Sequence, residues 1–163
     1  MTVAVIMIAI GCIGSLRLFK RWVDELPAET AAEINATEQI RTFTQQDVER
    51  YIGASFPNTA TDIHYRGYTV GMQDSEVFIR FSISPSDLNN FLEELEITEP
   101  LKEQFYSGEL RYGYQRTIDW WEPQKAQRYS GIRTEPEQSI VLSVLVDKTQ
   151  SDEYKIYVHR LKW

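Results

Sequence analysis

Val77-Phe-Ile-Arg-Phe-Ser-Ile83 runs directly into Ser84-Pro-Ser-Asp-Leu-Asn-Asn-Phe-Leu-Glu-Glu-Leu95, and the change of period at Ser84 decides how the chain is read. Before it, Val77, Ile79, Phe81 and Ile83 occupy every second position with Phe78, Arg80 and Ser82 between them, which is the period of a strand. After it, Leu88, Phe91, Leu92 and Leu95 recur at helical spacing, while Asn89, Asn90, Glu93 and Glu94 take the opposite side. The junction suits a helix start. Ser84 is a capping residue, Pro85 fits the first helical position, and Asp87 is favoured by the positive end of the helix dipole. A strand that leads into a one-sided helix in this way requires sheet and helix to share a core.

Upstream, Thr44-Gln-Gln-Asp47 has the form of a capping box, and Val48, Tyr51, Ile52 and Phe56 predict a short amphipathic helix closed by Pro57. Ile63, Tyr65, Tyr68 and Val70 predict a strand whose alternation slips at Gly67, as at a bulge. With a turn at 71–75, this strand and the next form an antiparallel hairpin. Downstream, residues 99–138 are punctuated by Pro100, Gly108, Gly113, Pro123, Gly131 and Pro136, with a strand expected through Leu110, Tyr112 and Tyr114. Ile140-Val-Leu-Ser-Val-Leu-Val146 is apolar on both faces, which suits a central strand covered by helix on one side and by a partner or loop on the other. A turn at 148–153 leads to a last strand carrying Tyr154, Ile156 and Val158. The expected fold is α+β: a two-layer sandwich over residues 44–163, with an antiparallel sheet of four to five strands, helices on one face, and an apolar N-terminal helix before it.

Residues 1–16 carry no charge. As a helix rising ~1.5 Å per residue they would reach about 24 Å, slightly under the ~30 Å of bilayer hydrocarbon. Leu18 and Phe19 extend the stretch past Arg17, which can snorkel. Residues 1–21 therefore read as a membrane anchor or signal segment. Ala9-Ile10-Gly11-Cys12 resembles a lipobox, which implies lipidation at Cys12. The basic residues Arg17, Lys20 and Arg21 argue for a cytoplasmic C-terminal domain if the span is retained, whereas lipidation or cleavage puts that domain outside. Residues 22–43 are rich in Ala, Glu and Thr without an amphipathic stripe, and read as a polar linker.

Setting residues 1–21 aside leaves 14 basic against 24 acidic residues, a balance of −10. Phosphate backbones would repel such a domain, so nucleic acid is excluded as a partner class. Cys12 is the sole cysteine, so the sequence supports no intramolecular disulfide and no thiolate metal cage.

There is no G-x-S-x-G, no glycine-rich phosphate loop, and there are just two histidines, His64 and His159, both in expected strands. No catalytic residue, metal site or cofactor is assigned. The one compositional anomaly is Tyr112, Tyr114, Trp120, Trp121 and Tyr129, five large aromatics within eighteen residues, interleaved with Arg111, Arg116 and Arg128. Tyr and Trp join a broad apolar face to a polar tip, as binding platforms do. Either these side chains plug one side of the sheet, or they form a binding surface centred on 119–123 for a protein or carbohydrate partner.

Thr59-Ala-Thr-Asp-Ile-His64, Ile79-Arg80-Phe81, Ser86-Asp-Leu-Asn-Asn-Phe91, Trp120-Trp121-Glu-Pro123 and Leu145-Val-Asp147 together resemble a diffuse group of small bacterial lipoprotein-type, membrane-anchored domains of unknown function. The resemblance spans roughly residues 57–160. It implies a bacterial envelope location and no activity. The leading expectation is a membrane-tethered noncatalytic binding domain. A small hydrolase built on a carboxylate or on His64 and His159, and an assembly factor of a membrane complex, are its alternatives.

Overall fold

The computed structural model describes residues 38–41, 43–70, 74–111, 113 and 117–163. Its elements are β1 (Glu38–Arg41), α1 (Gln45–Ile52), β2 (Thr61–Val70), β3 (Asp74–Ile83), α2 (Leu88–Glu94), β4 (Lys102–Glu103), β5 (Tyr129–Thr134), β6 (Ile140–Asp147) and β7 (Tyr154–Lys162). The strands form one sheet in the order β1-β2-β3-β7-β6-β5-β4, every neighbouring pair antiparallel. The class is α+β, with seven strands where four or five were expected. β1 lies inside the stretch read as linker, whose residues up to 37 are outside the described residues together with the apolar segment 1–21 and Cys12. Among the described residues no helix is long and apolar enough to cross a membrane.

Both helices pack on one face of the sheet. Val48 and Ile52 of α1 and Leu88, Phe91 and Leu92 of α2 are buried against Val77, Ile79, Phe81 and Ile83 of β3 and Leu142, Val144, Val146, Ile156 and Val158 of β6 and β7. The capping box forms: the Asp47 amide donates to Thr44 Oγ1 at 3.2 Å, and the Thr44 amide donates to Asp47 Oδ2 at 3.0 Å. α1 ends at Gly53 in the left-handed conformation, φ 81°, four residues before Pro57, so Phe56 joins the core from a loop. At the second helix, Pro85–Asp87 form a 3₁₀ turn, and Ser84 makes no side-chain cap. Its hydroxyl instead lies 2.9 Å from that of Ser86.

The expected bulge at Gly67 is absent. Pairing with β3 runs in register from His64 to Val70, and the irregularity falls between Thr61 and His64. Tyr65 and Tyr68 belong to two different cores, because the sheet is buried on both faces, and this made the alternation look slipped. Gly67 has a steric role. A Cβ there would stand 1.9 Å from Phe43 Cε2, so only glycine lets the Phe43 ring lie against the strand.

The second face is covered by the segment between β4 and β5. Leu110, Ile118, Trp121 and Ala126 bury Tyr68, Phe78, Leu145 and Tyr157. The strand expected through Leu110, Tyr112 and Tyr114 is replaced at its start by a 3₁₀ turn, Gly108–Arg111, which drives Leu110 into this second core. Tyr112 and Tyr114 lie outside the described residues.

Phe91 is 1% exposed, and its ring meets Phe81 edge-on at 5.1 Å. Phe91→Ala is expected to lower the free energy of unfolding by about 3–5 kcal/mol in urea titrations. A loss below about 1 kcal/mol would contradict this assignment of the helix-side core.

Candidate functional site

The two adjacent tryptophans have different fates. Trp121 is 1% exposed and donates its indole N–H to the Leu110 carbonyl at 2.8 Å. Its ring meets Phe78 at 5.1 Å and Tyr157 at 5.4 Å, both edge-on. A Cβ at Gly113 would stand 2.1 Å from Trp121 Cδ1, so the backbone passes directly over the indole. Trp121 is therefore the plug of the second core. Tyr129 is half-buried at the rim of the same core, edge-on to Tyr106 at 6.4 Å.

Trp120 is half-buried at the margin of the same core, its ring edge-on to that of Trp121 at 6.0 Å. Its ring centroid lies 5.5 Å from that of His64, the planes inclined by 30°, and the Arg80 guanidinium stands 5.9 Å from it. Arg80, cross-strand from His64, donates from one terminal nitrogen to the Trp120 carbonyl at 2.8 Å and from the other to Asp62 Oδ2 at 2.7 Å. Asp62 Oδ1 lies 2.7 Å from His64 Nε2. One carboxylate thus holds the imidazole and the guanidinium, and the guanidinium ties the Trp120 turn to the β2–β3 hairpin.

Two of the five non-glycine residues with positive φ among the described residues are Asp62 and Thr117. Asp62, in the irregular start of β2, has φ 50°, and Thr117, ahead of the tryptophan pair, also has φ 50°. A β-branched residue in the left-handed region is strained by roughly 1–3 kcal/mol, and such positions concentrate at ligand clamps. Burial raises the Asp62 carboxyl, but the His64 hydrogen bond and the Arg80 charge outweigh it and hold the pKa below the ordinary value. For Glu122, the Lys125 hydrogen bond acts in the same direction. Both carboxylates therefore stay ionised at neutral pH.

The histidines are not brought together. β3 lies between their strands, and His159 is wholly buried, stacked on Phe78 at 4.6 Å with its Nε2 2.8 Å from Glu76 Oε1. His159 has no route to an external substrate. His64 has a carboxylate partner, but no hydroxyl or thiol among the described residues hydrogen-bonds its ring, so no nucleophile is in position. Among the described residues no group of three His, Cys, Asp or Glu side chains could hold a metal.

A polar cleft of about 490 Å³ lies elsewhere, between residues 95–99 and 133–136 at the β5 edge. Arg133 within it is engaged by Glu109 and Glu135, each at 2.6 Å. Asp62 and Arg80 escaped the sequence reading. The available signal was Arg80 within Val77–Ile83, a stretch otherwise apolar but for Ser82, since an arginine there needs a partner when its face is covered.

The covering segment is clamped by polar contacts as well as by Trp121. Ser107 donates to Glu109 and lies 3.0 Å from Ser143 on β6, while Arg133 on β5 donates to Glu109. Burial raises the Glu109 carboxyl, and the bonds from Ser107 and Arg133 outweigh it, so its pKa is lowered. A depressed carboxylate contributes stability that is complete above the ordinary carboxylate range and is lost as pH falls through the folded value. The stability gap between the native chain and Glu109→Gln should therefore narrow between about pH 5 and about pH 3 in urea titrations. A gap that stays constant over that range contradicts the clamp.

Compared with protein-family models, with curated proteins and with solved structures, the chain finds no match, and its function has to be argued from this geometry.

Proposed function

We propose that this chain is a noncatalytic binding domain, held at a bacterial membrane through residues 1–21, whose contact surface is the Trp120 cluster. The observation that carries the reading is the unequal burial of the two tryptophans. Trp121 is consumed by the core, so the half-buried Trp120, braced by His64, Arg80 and Asp62, is the one of the pair left to meet a partner. Rigid aromatic side chains of this kind carry much of the energy of binding interfaces. The backbone strain at Asp62 and Thr117 is consistent with a surface kept in one presentation.

The hydrolase alternative has less support. His64 and Asp62 supply a base and an orienting carboxylate, but the third member is missing among the described residues, and His159 is sealed in the core. The apolar stretch 1–16, with Cys12 as a lipidation candidate, supports the tether, and the side of the membrane follows from whether that segment is cleaved.

Exchanging each tryptophan separately tests the reading. Trp121→Ala should lose about 3–5 kcal/mol of stability. Trp120→Ala should keep most of the melting temperature and lose capture of partners from detergent-solubilised envelope. Equal loss of stability in both variants, or undiminished capture by Trp120→Ala, would contradict it.

A further inference from the structure

Strand β5 is open on one side beyond Gly131. Among the described residues β4 pairs with it at Lys102 opposite Gly131 and at Glu103 opposite Ser130, and the Gln104 amide donates to the Tyr129 carbonyl at 3.0 Å. The Arg128 carbonyl, one residue earlier, instead accepts from the Lys148 amide at 2.7 Å on the β6 side. Main-chain groups alternate between the two edges of a strand, so Tyr129, Gly131 and Arg133 turn theirs toward β4. The register would set Arg133 opposite Pro100, which has no N–H to give. Among the described residues no hydrogen bond reaches the Arg133 amide or carbonyl.

The polar cleft of about 490 Å³ lies along this open edge, and residues 95–99 form its far wall. The end of α2 builds that wall. The Ile97 amide donates to the Leu92 carbonyl and the Glu96 amide to that of Glu93, each at 2.9 Å, and Leu95 and Ile97 are buried. Glu96 stands at the left-handed position of this cap, φ 58°, where glycine is the usual residue. The cleft is lined by the carboxylates of Glu96, Glu99 and Glu135 against the one guanidinium of Arg133, which Glu109 and Glu135 already engage. Glu96 and Glu99 are exposed and make no ion pair within 4.0 Å among the described residues. Lys102, the next base along the chain from Glu99, stands over the Phe105 ring at 5.8 Å and does not line the cleft.

A strand edge with unpaired N–H and C=O groups takes up an extended chain as one more strand, and the side chains around it select the sequence. Because a wall stands opposite β5, the cleft admits a single extended segment, whereas a second folded sheet would meet residues 95–99 first. We propose that this edge is a second binding surface, separate from the Trp120 cluster, which takes an extended basic peptide as an added strand. The peptide main chain bonds Arg133, and its lysine or arginine side chains meet Glu96 and Glu99.

Titrating acetyl-Lys-Val-Lys-Val-Lys-amide into the isotope-labelled full chain in detergent tests this by NMR. Saturable shifts are expected at the amides of Thr98, Glu99, Arg133 and Glu135, with slower hydrogen exchange at Arg133 and no shift of the Trp121 indole. The same peptide N-methylated along its main chain, and its glutamate counterpart, should leave those resonances in place. Glu96→Gly should keep or raise the melting temperature, since glycine relieves the left-handed backbone, and yet weaken the lysine peptide. With Glu99→Gln added, the loss should reach roughly three- to tenfold. Trp120→Ala should bind the peptide as the native chain does, which keeps the two surfaces distinguishable. No shift at Arg133 with the lysine peptide at millimolar concentration overturns the proposal. Equal binding of the N-methylated peptide overturns strand addition, and equal binding of the glutamate peptide overturns the basic occupant. An Arg133 amide already protected in a dimeric chain without peptide would give the edge to a second copy instead.

Discussion

Strand β6 buries apolar side chains on both faces of the sheet, and two short helices cover one of them. The other face has to be covered by the long segment between β4 and β5, whose described residues include two 3₁₀ turns, Gly108–Arg111 and Pro123–Lys125. An irregular segment has few backbone ladders of its own, so large side chains must supply its attachment. Trp121 is the largest of them. Its indole spans Phe78 and Tyr157 from two neighbouring strands, and its N–H satisfies a carbonyl of the segment itself. The cover and the surface it displays follow from that one residue.

Polar contacts make the attachment specific. Ser107, Ser143, Glu109 and Arg133 link the segment to β5 and β6, and Arg80 holds the Trp120 carbonyl from β3. Buried polar groups of this kind add modest net stability but are costly to leave unpaired, so they select one seating of the segment over others. The buried Glu76–His159 contact belongs to the same face. With β2 and β3 fixed beneath it, the Trp120 turn has little freedom to move.

Periodic segments were legible in the sequence, and the segments governed by one distant contact were not. The buried and exposed sides of α2, the alternation of β3 and the two-faced burial of β6 follow from spacing alone, because each repeats one environment over several residues. β1, β4 and β5 were missed, since Glu38–Arg41 and Lys102–Glu103 are too short and polar to signal strands, and Gly131 and Arg133 interrupt the pattern of Tyr129–Thr134. The region around Leu110 was misread for a related reason: its apolar residues serve a face already closed by the sheet, so they obey no strand period. At the candidate site, the aromatic cluster was visible as composition. The division between Trp120 and Trp121 was not, because it depends on how deeply the turn seats each ring in the second core.

Hydrogen exchange of the assigned tryptophan indole N–H groups addresses the division most directly. The Trp121 indole proton, buried and bonded to Leu110, should exchange as slowly as the amides of β3 and β7, and that of Trp120 should exchange far faster. Equal exchange of the two, or protection of Trp120 beyond Trp121, would mean that the second face is sealed by some other residue.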